Sequence, residues 1–172
     1  MEDIVDTAFL IIRIVVGLGF AAHGAQKLFG WFGGYGIAGT GGFFESLGFR
    51  PGRLFALAAG LGEAGGGLLT FLGLGGPLGP AVIVVVMLTA ILSVHLGKGF
   101  FADKGGPELA LLYLCGALAI AFAGSGAYSL DRMFGIAFLT GTQVWFAIGA
   151  AIVAGILTTL ARRPGAPAAS TE

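Results

Sequence analysis

Residues 5–29 read VDTAFLIIRIVVGLGFAAHGAQKLF. Crossing the hydrocarbon layer of a bilayer takes roughly 20 mostly apolar residues. This stretch supplies them, with Arg13 as the charge at its centre and His23, Gln26 and Lys27 gathered at its end. It reads as a membrane-spanning helix, and the remainder of the chain repeats the pattern. Similar windows lie at 54–74, 79–98, 107–125 and 137–160. The composition agrees: 56% of the 172 residues are hydrophobic and 10% are charged, against about 25% charged in soluble domains, and the mean hydropathy is +0.95. The chain is an all-α integral membrane protein.

The connections are short and rich in glycine. WFGGYGIAGTGGFFESLGFRPGR, within the interfacial loop at 30–53, cannot span, but GGFFESLG within it can form a short interfacial helix. Trp31, Phe32, Tyr35, Phe43 and Phe44 suit the headgroup level. Pro77 and Pro80 in GLGGPLGP end one helix and start the next. Pro107 and Glu108 suit a helix start, where the dipole favours an acid. RRPGAPAASTE, residues 162–172, reads as a disordered tail. With the N-terminus outside, the inside segments carry Lys27, Arg50, Arg53, Lys98, Lys104, Arg162 and Arg163, and the outside connections carry Arg132 alone. The positive-inside rule then places the C-terminus in the cytoplasm.

Charge and cysteine usage exclude several classes. Nine basic and nine acidic residues balance, with no basic block for phosphate contacts, so nucleic acid is not an expected partner. Three acids precede the first base, unlike the positive start of a secretory signal, so the first segment is expected to be retained. Cys115 is the one cysteine, which rules out dithiol chemistry within a single chain. The 33 glycines follow no Gly-X-Y period and are read mainly as helix-packing positions.

The informative residues are the polar ones at membrane depth, which cost roughly 2.5–3.5 kcal/mol at a helix centre and generally face a bundle interior. Counted from Lys27 and Arg53 as the inner boundary, Arg13 lies about 21 Å deep and Glu63 about 15 Å. An intramembrane ion pair between Arg13 and Glu63 is the expectation. A shallower set comprises His23 and Lys27, which are four residues apart on one helix face, with His95 and Glu108 at the same level on two other spans. His23, His95 and Glu108 are the candidate catalytic groups, and His23, Lys27, His95 and Glu108 the candidate cofactor-binding groups. Each has a plainer explanation: Lys27 as a snorkelling anchor, Glu108 as a dipole-complementing helix start, the histidines as packing residues.

The ordered motifs HGAQKLFG, LGEAGGGLL, LTAILSVHLGKGFF, GGPELALLYL and GSGAYSLDR, between about residues 9 and 132, resemble the DoxX family of small bacterial membrane proteins. That resemblance implies a four-helix transmembrane bundle over 1–132. It also implies kinship with quinol oxidase and thiosulfate:quinone oxidoreductase subunits, and work alongside soluble redox partners in the bacterial inner membrane. Matched to the motifs, the polar positions are Arg13, His23, Lys27, Glu63, His95 and Glu108. The stretch 133–161 departs from the pattern as a fifth, C-terminal transmembrane helix, a docking element for a membrane-protein partner or a second copy.

Three functional classes follow. The first is a redox-associated subunit binding a quinone or similar lipophilic carrier, in which the histidines and Glu108 move protons and Lys27 stabilises a reduced oxygen. The chain has no flavin fingerprint or cluster motif, so any second redox centre belongs to a partner. Haem or metal ligation by His23 and His95 is disfavoured, because there are only two histidines and no local signature. The second class is a non-catalytic scaffold held by glycine-rich faces such as Gly62 and Gly66. The third is a small proton-coupled transporter using Glu63, against which stands the lack of an internal repeat.

Overall fold

The computed structural model describes residues 2–163, and these contain helices and turns but no strand. In order they are α1 (Glu2–Phe29), α2 (Gly36–Ser46), α3 (Gly52–Leu72), α4 (Leu78–Ala90), α5 (Glu108–Ala123), α6 (Leu130–Phe134) and α7 (Thr142–Leu160). A π-helical turn, Ile91–His95, prolongs α4. Asp3–Phe29, Gly52–Leu72, Leu78–His95 and Thr142–Leu160 are long and apolar enough to cross a membrane. Helix α5 is apolar but has 16 residues, about 24 Å at 1.5 Å per residue. It still runs the depth of the bundle, because its first residue bonds the loop after α4 while the loop beyond its last turn meets Asp6 and Arg13 of α1. The five long elements therefore alternate between an entry face, where α1 begins, and an exit face, where α7 ends.

Two boundaries differ from the sequence expectation. The run at 137–141, counted with the last span, is not helical: Leu139 has φ 51° and Gly141 has φ 59°, so the helix begins at Thr142. The connection before it contains α6, capped by Ser129 Oγ, which accepts the Arg132 N–H at 3.2 Å. Of the expected tail, Arg162 and Arg163 are tied in: Arg162 Nη1 donates to Ser93 O and Arg163 N–H donates to Gly48 O. Residues 164–172 lie outside the described residues. The last span shares the bundle core, with Val144, Ile148 and Ala151 in the same buried cluster as Val16, Phe20 and Ile83.

Helices α1 and α3 touch backbone to backbone. A Cβ on Gly17 would strike Gly67 and Phe71, and one on Gly24 would strike Gly60 and Ala64. Reciprocally, a Cβ on Gly67 would strike Gly17 and Ala21. Small residues on both helices permit this approach, as expected inside a bilayer. The contact fixes an antiparallel register in which residues near 24 face residues 60–64, and residues near 17 face 67–71.

That register overturns the expected Arg13–Glu63 pair. Arg13 lies level with the end of α3, where it is 2% exposed. Its Nε donates to Thr70 O at 3.1 Å, Nη2 to Phe71 O at 2.7 Å, and Nη1 to Ser125 O and Tyr128 O at 2.7 and 3.0 Å. Two of these carbonyls, Thr70 O and Phe71 O, belong to the last turn of α3, where the helix dipole favours a cation. Asp131, also buried, accepts the N–H groups of Gly75 and Gly76 at 2.9 and 2.6 Å. The depth estimate failed because Lys27 and Arg53 are not level: the glycine contact slides α3 along α1 by about two helical turns relative to that assumption.

Gly65 and Gly67 separate packing from helix propensity. A Cβ on Gly65 meets open space, whereas one on Gly67 meets the backbone of α1. Thermal unfolding in detergent is expected to show Gly65→Ala as neutral or stabilising by at most about 1 kcal/mol, and Gly67→Ala as destabilising by about 1–3 kcal/mol or more. Equal stabilities would contradict the register.

Candidate functional site

The register that separates Glu63 from Arg13 brings it to Lys27. Lys27 Nζ lies 2.6 Å from Glu63 Oε2, the one ion pair among the described residues, with side chains 24% and 3% exposed. A carboxylate so deeply buried would be costly without such a partner. One turn earlier on α1, His23 Nδ1 lies 3.0 Å from Gln26 Oε1, while Gln26 Nε2 donates to Phe32 O at 3.1 Å. The turn after α1 thereby orients the imidazole.

His95 arrives from the end of α4. There the helix widens into the π turn Ile91–His95, closed by Leu96 N–H donating to Ile91 O at 2.9 Å. Such widened turns often accompany functional sites, because the inserted residue re-aims side chains. His95 Nδ1 then meets Gly105 O at 2.7 Å. Gly105 holds φ at +78°, a conformation that glycine adopts without steric cost.

Glu108 does not join the histidines. Its Oε2 accepts the Ala102 N–H at 2.9 Å and its own N–H donates to Phe100 O at 3.1 Å. At the first turn of α5, the carboxylate folds back over the preceding loop and accepts a loop amide, outside the cavity that the histidines share.

His23, Lys27, Glu63 and His95 line one cavity of about 510 Å³ near the exit face. This lies within the usual range for small-molecule sites. Phe43 and Phe44 of α2, expected at the headgroup level, form part of its wall, and Phe44 continues through Phe49 to Phe55 in a chain of tilted rings. Polar residues of the lining that the sequence did not single out include Tyr113 and Ser93. Tyr113 of α5 sets its ring against His23 at 5.8 Å, nearly perpendicular, and against Phe20 at 5.7 Å. Ser93 Oγ, on the π turn, is buried without a hydrogen-bond partner. A phenol in the apolar run LALLYL and a serine two residues before His95 were the available signals; neither reveals its direction without the fold. Among the described residues, no three His, Cys, Asp or Glu side chains cluster as metal ligands do.

The profile of the DoxX family matches residues 8–96, from the second turn of α1 to the residue after His95. The chain belongs to the DoxX family. The matched region contains Arg13, the α1–α3 contact, Lys27, Glu63 and both histidines, while Tyr113 and α5 to α7 lie beyond it. A relative in Bacillus subtilis (strain 168), named "Putative oxidoreductase CatD", is 30% identical over 131 residues, covering 76% of this chain and 90% of the relative. No solved structure matches significantly. As a DoxX protein with several apolar spanning helices, the chain is a multi-pass membrane protein.

The two buried polar centres give opposite expectations for coupling. Lys27→Met strands the Glu63 carboxylate and should cost about 3 kcal/mol, most of it recovered in Lys27→Met/Glu63→Gln. Arg13→Met combined with Glu63→Gln should be additive within about 0.5 kcal/mol. Thermal unfolding of the single and double variants in detergent checks both, and strong Arg13–Glu63 coupling would contradict the assigned pairs.

Proposed function

We propose that this DoxX protein is a redox-associated membrane subunit that binds a quinone or similar lipophilic carrier in the exit-face cavity. The observation that carries the reading is the convergence of two imidazoles and one buried ion pair in an otherwise mainly apolar, aromatic-walled cavity of about 510 Å³. Apolar walls favour a carrier dissolved in the bilayer, and a few convergent polar groups orient its head. The unpartnered Ser93 hydroxyl fits the same reading, since a buried polar atom without a partner is costly unless a ligand or water meets it.

A carrier of this class supplies reversible two-electron, two-proton chemistry when bound. His23 and His95 are suited to take or return the protons, because an imidazole nitrogen can either accept or donate one. Lys27, held on Glu63, keeps the interior near neutral charge and orders the carboxylate beside His23. The chain has no second redox centre of its own that the family or the motifs identify, so electrons pass to or from a partner. The name of the Bacillus subtilis relative is in keeping with an oxidoreductase role. Placing the exit face, with Lys27, Arg50, Arg53, Lys98, Lys104, Arg162 and Arg163, on the cytoplasmic side of the bacterial inner membrane follows the positive-inside rule.

Decylubiquinone and decylubiquinol titrated against the protein in nanodiscs test the site. His23→Ala and His95→Ala should each weaken binding by about tenfold or more, with Glu108→Gln near the native affinity. Unchanged binding in both histidine variants, or no binding to the native protein, would remove the proposal.

A further inference from the structure

The cavity shared by His23, Lys27, Glu63 and His95 does not end inside the bundle. Its lining includes Ala58 of α3, which is exposed. Ala58 shares a helix face with Leu54, Leu61 and Gly65, at helical spacings of four, three and seven residues. Leu54 and Leu61 are 59% and 57% exposed, and a Cβ on Gly65 would meet nothing within 4 Å. This is the face that α3 turns to the hydrocarbon. Ala58 therefore belongs both to the cavity wall and to the lipid-facing surface.

The packing of α4 shows how the gap arises. Val85 and Val86 both line the cavity but have different neighbours. A Cβ on Gly155 of α7 would lie 3.1 Å from the Val85 carbonyl, and one on Gly62 of α3 would lie 3.8 Å from a Val86 methyl. Helix α4 is thus the floor of a groove whose walls are α3 and α7, lined from the two sides by Ala58 and Thr158. Toward the entry face the groove pinches out, because a Cβ on Gly66 would strike Val82. Toward the exit face it is bridged: Arg163 N–H donates to Gly48 O at 2.8 Å, tying the end of α7 to the turn before α3, beside the buried Phe49. With both ends closed, the groove opens sideways, onto the bilayer.

The polar end of the cavity lies close by, since Glu63 is five residues beyond Ala58, about 7.5 Å along the helix axis. A volume of about 510 Å³ suits a molecule of drug size. A ring carrying a long apolar chain exceeds it, so the chain must leave through a wall. Leaving at Ala58 keeps the chain out of water, because it passes from an apolar groove into lipid.

We infer that the ligand enters this cavity sideways from the bilayer, between α3 and α7 past Ala58 and Thr158, and that it is a carrier with a long apolar chain, its ring inside and its chain lying out through the gap. The inference rests on the carrier reading above and deepens it by naming the route and the chain.

The test compares two probes on the full-length protein in nanodiscs: decylubiquinone, which carries a chain, and duroquinone, a methylated ring without one. Ala58→Trp and Thr158→Trp should each weaken decylubiquinone binding by about tenfold or more and leave duroquinone within about twofold, which also shows that the variants are folded. Ala58→Leu, a smaller plug, should lower the decylubiquinone-to-duroquinone affinity ratio by about threefold. Leu109→Trp, at an exposed lining position on α5, should leave that ratio unchanged. An unaltered ratio in Ala58→Leu, or a ratio that falls in Leu109→Trp instead, would overturn the inference while leaving the carrier site standing. Binding of neither probe to the native protein would remove the carrier reading and this inference with it.

Discussion

The backbone contact between α1 and α3 is the constraint on which the rest of the molecule depends. Gly17, Gly24, Gly60 and Gly67 let the two helices approach until main chain meets main chain. At that distance sliding by one residue would drive a Cβ into a peptide unit, so the register is set sterically rather than by charge. Everything polar in the interior follows from it. Lys27 falls beside Glu63, and Arg13 falls beside the last carbonyls of α3. Two charges that seemed made for one another are thereby assigned to opposite ends of the bundle.

Those ends solve the same problem differently. At the entry face, Arg13 and Asp131 are almost wholly consumed by backbone groups, the first by four carbonyls and the second by two amides. The result is a fastening of α1, α3 and the segment between α5 and α6, with little hydrogen-bonding capacity left for a ligand. At the exit face, Lys27 and Glu63 satisfy each other while the histidines each spend one nitrogen on the protein and keep one. A polar cluster with spare hydrogen-bonding capacity, walled by phenylalanines, has room and partners for a ligand; a saturated one is structural cement.

Much of the candidate site was legible because membrane segments announce themselves. The apolar runs located the helices, and helical spacing placed His23 and Lys27 on one face; His95 lies near the end of another span at the same level. Glu108 lies outside the shared cavity for a local reason: depth says nothing of direction, and its carboxylate is met by the Ala102 amide of the preceding loop. Tyr113 and Ser93 escaped notice because their contributions depend on rotation about helix axes, and in the case of Ser93 on a π turn that no residue pattern announced.

Taken alone, the order of residues determined that the chain is helical, that it lies in a membrane, and which few side chains are too polar to face lipid. These are consequences of composition along a line, where a run of apolar residues has one favourable solution whatever surrounds it. Which polar group meets which, which nitrogen of each histidine stays free, and which cluster encloses space were decided only by tertiary packing. The physical reason is one of scale: hydropathy acts over some twenty residues, whereas a hydrogen bond or an ion pair is made or lost over less than one helical turn, and only the interlocked glycines fix α1 against α3 to that tolerance.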